Sequence, residues 1–189
     1  MNIKTSFLAA LAILPIAASA FPIAIAGTEG YSVIANGTNP VIATYQGNSA
    51  AYSNDLFLAV SVASSPADTY IFNNHANAVG DTYNLGTFAT GTELIFRLYV
   101  NNTGDNFYTG PASRNADGMA HARVENEWMP GTTLVSFEDL FGTPEGVNGY
   151  NDLSFSFTNT TSSAVPEPTT LALFGAGLIG LGLMKRRKA

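Results

Sequence analysis

The sequence predicts an all-β protein: an antiparallel β-sandwich of jelly-roll or Ig-like kind, set between two apolar terminal segments. Three observations predict it. The central part is rich in Asn, Thr, Ser, Gly and Tyr and shows little of the 3.6-residue apolar period of a helix. Its apolar residues alternate with polar ones over short runs, which puts them on one face of a strand. Turn-forming clusters such as Asn36-Gly37-Thr38-Asn39-Pro40 separate those runs.

The first two strands are expected over 31–35 and 41–45, on either side of that turn. Residues 56–62 form a longer apolar run, expected as a strand buried on both faces. Residues 69–72 suit a short edge strand. Along 93–100, Leu94, Phe96, Leu98 and Val100 share one face, with Ile95, Arg97 and Tyr99 on the other. Along 119–125, Ala120, Ala122 and Val124 oppose His121, Arg123 and Glu125, so His121 is expected on a polar face, solvated or hydrogen-bonded. In 133–138, Val135 and Phe137 oppose Ser136 and Glu138. The last strand is the most regular, with Leu153, Phe155 and Phe157 against Asp152, Ser154, Ser156 and Thr158. About eight short strands with turns between them give the sandwich, over 27–158. The Thr- and Ser-rich stretch 159–164 is expected as a linker. Asn101 to Asn106 and Asp117-Gly118 read as turns.

Both ends differ in kind from this centre. Residues 1–26 hold Lys4, an apolar core from Phe7 to Leu14 and two Ala-x-Ala sites, which together make a secretory signal peptide cleaved after Ala20 or Ala26. The tail, 165–189, runs Val165-Pro166-Glu167-Pro168, an uncharged apolar segment and then Lys185-Arg186-Arg187-Lys188. Residues 169–184 span roughly 24 Å as a helix, short of a hydrocarbon core of about 30 Å. They are expected as a single transmembrane helix, with the basic stop at 185–188 on the cytoplasmic side. The order Pro-Glu-Pro, Gly- and Leu-rich span, basic block resembles the PEP-CTERM sorting signal of exported bacterial proteins. The resemblance implies export, transient membrane anchoring, processing near Pro166, Glu167 and Pro168 by a membrane enzyme of the exosortase type, and a final place at the cell surface or in the extracellular matrix.

Charge narrows the partners. The whole chain carries −6, but 27–164 holds three arginines against thirteen carboxylates, a formal −10. Such a surface excludes nucleic acid as a natural partner and suits solubility or cation binding. With no cysteine, the fold owes nothing to disulfides, and with His75 and His121 as its only histidines it lacks the donors of a structural zinc site.

Chemistry concentrates in Phe137-Glu138-Asp139-Leu140 and Tyr150-Asn151-Asp152-Leu153, separated by a Gly-rich loop. If the flanking strands pair, alternation sets Glu138 and Asp152 on one solvent face about 5 Å apart, where like charges repel unless relieved. Glu138, Asp139, Asn151 and Asp152 are oxygen donors of the kind Ca²⁺ takes. Residues 91–158 also resemble an uncharacterised acidic domain family of exported bacterial proteins, which joins a Phe-Glu-Asp-Leu segment to an Asn-Asp-Leu strand. That resemblance implies calcium binding or catalysis at those four residues. The chain departs from it in the turn, whose carboxylate and amide oxygens are those of Glu145 and Asn148. The leading expectation is a structural or binding protein, calcium-stabilised and associated with exopolysaccharide. The alternative is a glycosidase-like hydrolase using Glu138 and Asp152. Tyr99, Tyr108 and Trp128 are candidate sugar-stacking rings.

Overall fold

The computed structural model describes residues 29–63, 65–142 and 149–164. Within them the chain forms β1 (Tyr31–Ala35), β2 (Val41–Gly47), β3 (Asn54–Ala59), β4 (Thr69–Asn73), β5 (Thr82–Gly86), β6 (Glu93–Val100), β7 (Asn106–Tyr108), a 3₁₀ turn (Ala112–Arg114), β8 (Ala122–Met129), β9 (Thr132–Phe137), β10 (Leu153–Thr158) and β11 (Thr160–Ala164). All pairings are antiparallel. One sheet runs β11-β1-β6-β3-β4, with β7 also on β6; the other runs β5-β2-β10-β9-β8.

The all-β expectation and the two antiparallel sheets hold, and alternation explains why they pack together. Val33 on β1 and Leu94, Phe96 and Leu98 on β6 point inward from the first sheet, and Val135, Phe137, Leu153, Phe155 and Phe157 from the second, forming one apolar cluster. Aromatic rings carry the contact between sheets: Phe72 stacks on Phe155 at 5.9 Å and Phe96 on Phe157 at 3.9 Å. Each such ring removes a large apolar area from water, which outweighs its lost rotamer freedom.

Several local expectations change. The run 56–62 is a strand only to Ala59, since Val60 donates its N–H to Asp68 Oδ1 and Val60 and Val62 are exposed. Its Phe57 and Leu58 are half-buried, so the strand is not covered on both faces. The strand expected at 119–125 starts at Ala122 instead. The stretch 159–164 is no linker. Asn159, at φ 55°, turns the chain within one residue from the second sheet into the first, where Thr160–Ala164 pairs with β1 from Tyr31↔Ala164 to Ala35↔Thr160. Asn tolerates that left-handed conformation better than most residues. The expected signal peptide and transmembrane helix lie outside the described residues. Among the described residues no helix is long and apolar enough to cross a membrane.

Candidate metal site at the β9–β10 loop

The site is built where β9 ends and β10 begins. Phe137 and Leu153 are the last paired residues, and Asp152 donates its N–H to Phe137 O at 3.2 Å. Both apolar side chains face the core, so the residues beside them, Glu138 and Asp152, fall on the opposite side, as alternation predicts. They are not on a solvent face, however: Glu138, Asp139 and Asp152 are 1%, 4% and 9% exposed. One carboxylate oxygen from each lies within 4.8 Å of the other two.

Three buried carboxylates so close repel one another unless something compensates. Hydrogen bonds supply part of the compensation. Asp139 N–H donates to Asp152 Oδ2 at 3.0 Å, and Leu140 N–H to Glu138 Oε1 at 3.1 Å. The third donor comes from the other sheet, where Asn54, at the start of β3, gives its Nδ2 hydrogen to Asp139 Oδ2 at 2.7 Å. Asn54 is 0% exposed, and its Oδ1 has no hydrogen-bond partner among the described residues. A buried amide oxygen left in that state costs free energy. Asn151 contributes through its backbone, its carbonyl accepting Ser49 N–H at 3.0 Å. A cavity of about 280 Å³ opens beside Asp139 and Asp152, lined also by Ser49, Ala51, Tyr52 and Leu140. Glu138 is not in its wall.

A second polar group holds the loop from behind. His121 is fully buried rather than solvated and stacks on Phe107 at 3.7 Å. Its Nδ1 faces Glu138 O at 3.1 Å and its Nε2 faces Asp117 Oδ2 at 2.8 Å, so each ring nitrogen lies within hydrogen-bond reach of an oxygen. Asp117 Oδ2 also accepts Gly142 N–H at 2.9 Å, and its Oδ1 accepts Met119 N–H at 3.0 Å. Burial alone would raise the Asp117 pKa, but the hydrogen bonds from His121, Met119 and Gly142 and the charge of His121 outweigh it and hold the carboxyl below its ordinary value. Tyr150 closes the other side, donating its hydroxyl to Ala120 O at 2.8 Å beneath the Arg123 guanidinium, 4.2 Å from the ring centre. Burial, chiefly, pushes the Tyr150 phenol up to about 12.

The donor set suits a hard cation. Ca²⁺ holds oxygens at about 2.3–2.6 Å, so ligands on opposite sides of one ion stand roughly 4.6–5.2 Å apart. The three carboxylates fit that span, and Asn54 touches them through its Nδ2 bond to Asp139. Sequence reasoning missed Asn54 because nothing local links it to Asp139, 85 residues away. It also missed the Asp117–His121 pair, for which the four-residue spacing was the available signal. The other candidates do not join the site. Tyr108 is buried at 5% exposure and presents no open ring face, Tyr99 and Trp128 are half-buried, and His75 is exposed. Glu145, Asn148, Pro166, Glu167, Pro168, Lys185, Arg186, Arg187 and Lys188 lie outside the described residues.

The tail is decided by sequence comparison. A family model for the PEP-CTERM protein-sorting motif matches residues 164–188. The chain carries a PEP-CTERM sorting signal. It is therefore an exported protein, sorted by an exosortase-type enzyme and bound for the cell surface or the extracellular space. The PEP-CTERM match begins after β10 has ended, so it identifies the route and leaves the acidic loop to its own chemistry. No curated protein and no solved structure matches the chain.

Proposed function

We propose that this chain is a structural or binding component of the cell surface or extracellular matrix whose β-sandwich is stabilised by Ca²⁺ at the β9–β10 loop. Glu138, Asp139 and Asp152 would supply the charge, with Asn54 reaching the ion from the opposite sheet. The observation that carries the reading is Asn54, whose buried Oδ1 has no described partner and whose Nδ2 already binds Asp139. A cation there would tie β3 to the β9–β10 loop and relieve the repulsion among the carboxylates.

In this reading residues 1–26 are the export signal and 169–184 the temporary membrane helix, and the surface borders exopolysaccharide as the family resemblances imply. Hydrolysis by Glu138 and Asp152 has less support. A glycosidase needs both carboxyls to face one bond, and Glu138 does not line the cavity. Calorimetric titration of the native exported protein tests the calcium reading. Heat on adding Ca²⁺, with a melting temperature raised by the ion and lowered again by EDTA, is expected, and Asp139→Asn should abolish both. A titration without heat and a melt unmoved by either addition would refute it.

A further inference from the structure

The chain leaves β1 in the first sheet and enters β2 in the second through residues 36–40. Asn36, Thr38, Asn39 and Pro40 are exposed. Gly37 stands in open space, with nothing within 4 Å of where a Cβ would be. Asn36 is fastened by its backbone, whose N–H donates to Asn159 O at 2.8 Å. Its carboxamide has no hydrogen-bond partner among the described residues, and neither has the N–H of Gly37.

That arrangement is reactive. The backbone nitrogen of Gly37 and the Cγ of Asn36 close a five-membered ring when they meet, so each sees the other at high effective concentration. Closure needs a nitrogen that is unbonded and reachable, in a chain free to rotate around it. Glycine suits both needs, having no side chain to shield the nitrogen and the widest choice of backbone angles. Other asparagines lack one condition or another. Asn39 precedes Pro40, which has no N–H. Asn48 gives its Nδ2 to Asn74 O, and the N–H of Ser49 after it donates to Asn151 O at 3.0 Å. Asn73 and Asn77 spend their side-chain oxygens on backbone N–H groups of their own turn. Asn115 is buried with both amide atoms bonded. The second Asn-Gly pair of the sequence, Asn148-Gly149, begins outside the described residues.

We propose that Asn36 is a site of spontaneous deamidation in the folded, exported protein. The Gly37 nitrogen, on losing its proton to solvent base, attacks Asn36 Cγ. The new C–N bond closes a succinimide, and the carboxamide nitrogen leaves as ammonia. Water then opens the ring at the side-chain carbonyl to give Asp, or at the main-chain carbonyl to give isoaspartate, in which the chain runs through the former side chain. One water is consumed and one ammonia released, and no enzyme or oxidant takes part. The fold carries either product. The bonds of Ala35 to Gly91 and Thr92, and that of Asn36 N–H to Asn159, lie upstream of the altered linkage. The extra main-chain atom of isoaspartate enters between Asn36 and Gly37, and the exposed residues that follow take up the slack. The chain is fixed again at Pro40 O, which accepts Asn159 Nδ2 at 2.7 Å. Because the protein is exported, the change accumulates out of reach of the cytosolic enzymes that repair isoaspartate. The fraction converted therefore records time since export.

Peptide mapping by mass spectrometry of the native exported protein, aged in buffers of rising pH, tests this. The peptide holding Asn36 should gain one mass unit, split into Asp and isoaspartate forms on chromatography, and convert faster as pH rises. Its rate should exceed that at Asn39, Asn84 or Asn101 by about tenfold or more. In urea the Asn36 rate should differ from the folded rate by less than about tenfold, since the fold leaves the site open. Asn36→Gln, which would need a larger ring, should leave that peptide unchanged. The aged wild-type protein should still melt in one transition close to that of the fresh protein. An Asn36 that stays intact when folded but converts in urea overturns the proposal, as does conversion no faster than at the other asparagines. A melt showing that the converted molecules are unfolded overturns it too.

Discussion

Strands β10 and β11 follow one another with only Asn159 between them and have nearly the same length, yet different forces hold them. β10 sits between β2 and β9, and its Leu153, Phe155 and Phe157 are fully buried. β11 is an edge strand of Thr, Ser and Ala with a hydrogen-bonded ladder on one side. The difference teaches that a ladder is enough to make a strand, whereas buried side chains make it permanent. It also separates two jobs along one stretch of chain: β10 carries the fold and one wall of the acidic site, and β11 carries the connection to the sorting signal.

The largest expected effect falls on β10. Phe155→Ala, which removes the ring packed on Phe72 and Tyr45, should cost about 3–5 kcal/mol in a urea unfolding experiment. Ser162→Ala in β11 should stay within about 0.5 kcal/mol in the same assay. Equal losses would erase the contrast. Next in size is Thr160→Ala, at the joint between the strands. It leaves Thr133 Oγ1 without its buried hydroxyl partner and should cost about 1–2 kcal/mol. Hydrogen exchange sharpens the same contrast without a mutation. The amides of 161–164 should exchange by local opening, well before those of β10, which should wait for global unfolding.

Smaller effects come from pH and report on the loop beside β10. Asp117 has its pKa lowered in the folded state, so the stability it contributes is present above its ordinary value of 3.8 and is lost as pH falls through the lower folded value. Asp117→Asn should therefore flatten the dependence of the melting temperature on pH below about 4. Tyr150 acts at the other extreme. Its folded pKa is raised from 10.0 to about 12, so its contribution declines as pH climbs across that interval. Tyr150→Phe should remove that decline, and a spectroscopic titration of the phenol follows it directly.

How much of this was legible in the sequence depends on side-chain alternation. β6, β9 and β10 carry apolar residues at every second position, and their inward faces could be read directly. β5 and β11 could not, because Thr-Tyr-Asn-Leu-Gly and Thr-Thr-Ser-Ser-Ala lack that pattern and owe their state to the neighbour that pairs with them. The three-residue β7 is too short to show a period. For the site, alternation correctly placed Glu138 and Asp152 on the same side of the hairpin. It could not say that the side would be covered, because a period of two tells which way a residue points and nothing of what packs over it. Asn54 and the Asp117–His121 pair reach the loop through tertiary contacts, and the chain alone gives no hint of the first.

The pairing of Tyr31 with Ala164 has one more consequence. The two extremities of the described fold are neighbours, with Cα atoms about 4.5–5.5 Å apart as in any opposed antiparallel pair. A short bridge could therefore close the polypeptide into a ring, and new ends could be cut at the exposed Asn101–Gly104 bend without touching either layer of strands. Such a circular permutant would carry the same architecture with no tail at its natural exit, uncoupling the folded body from its export address.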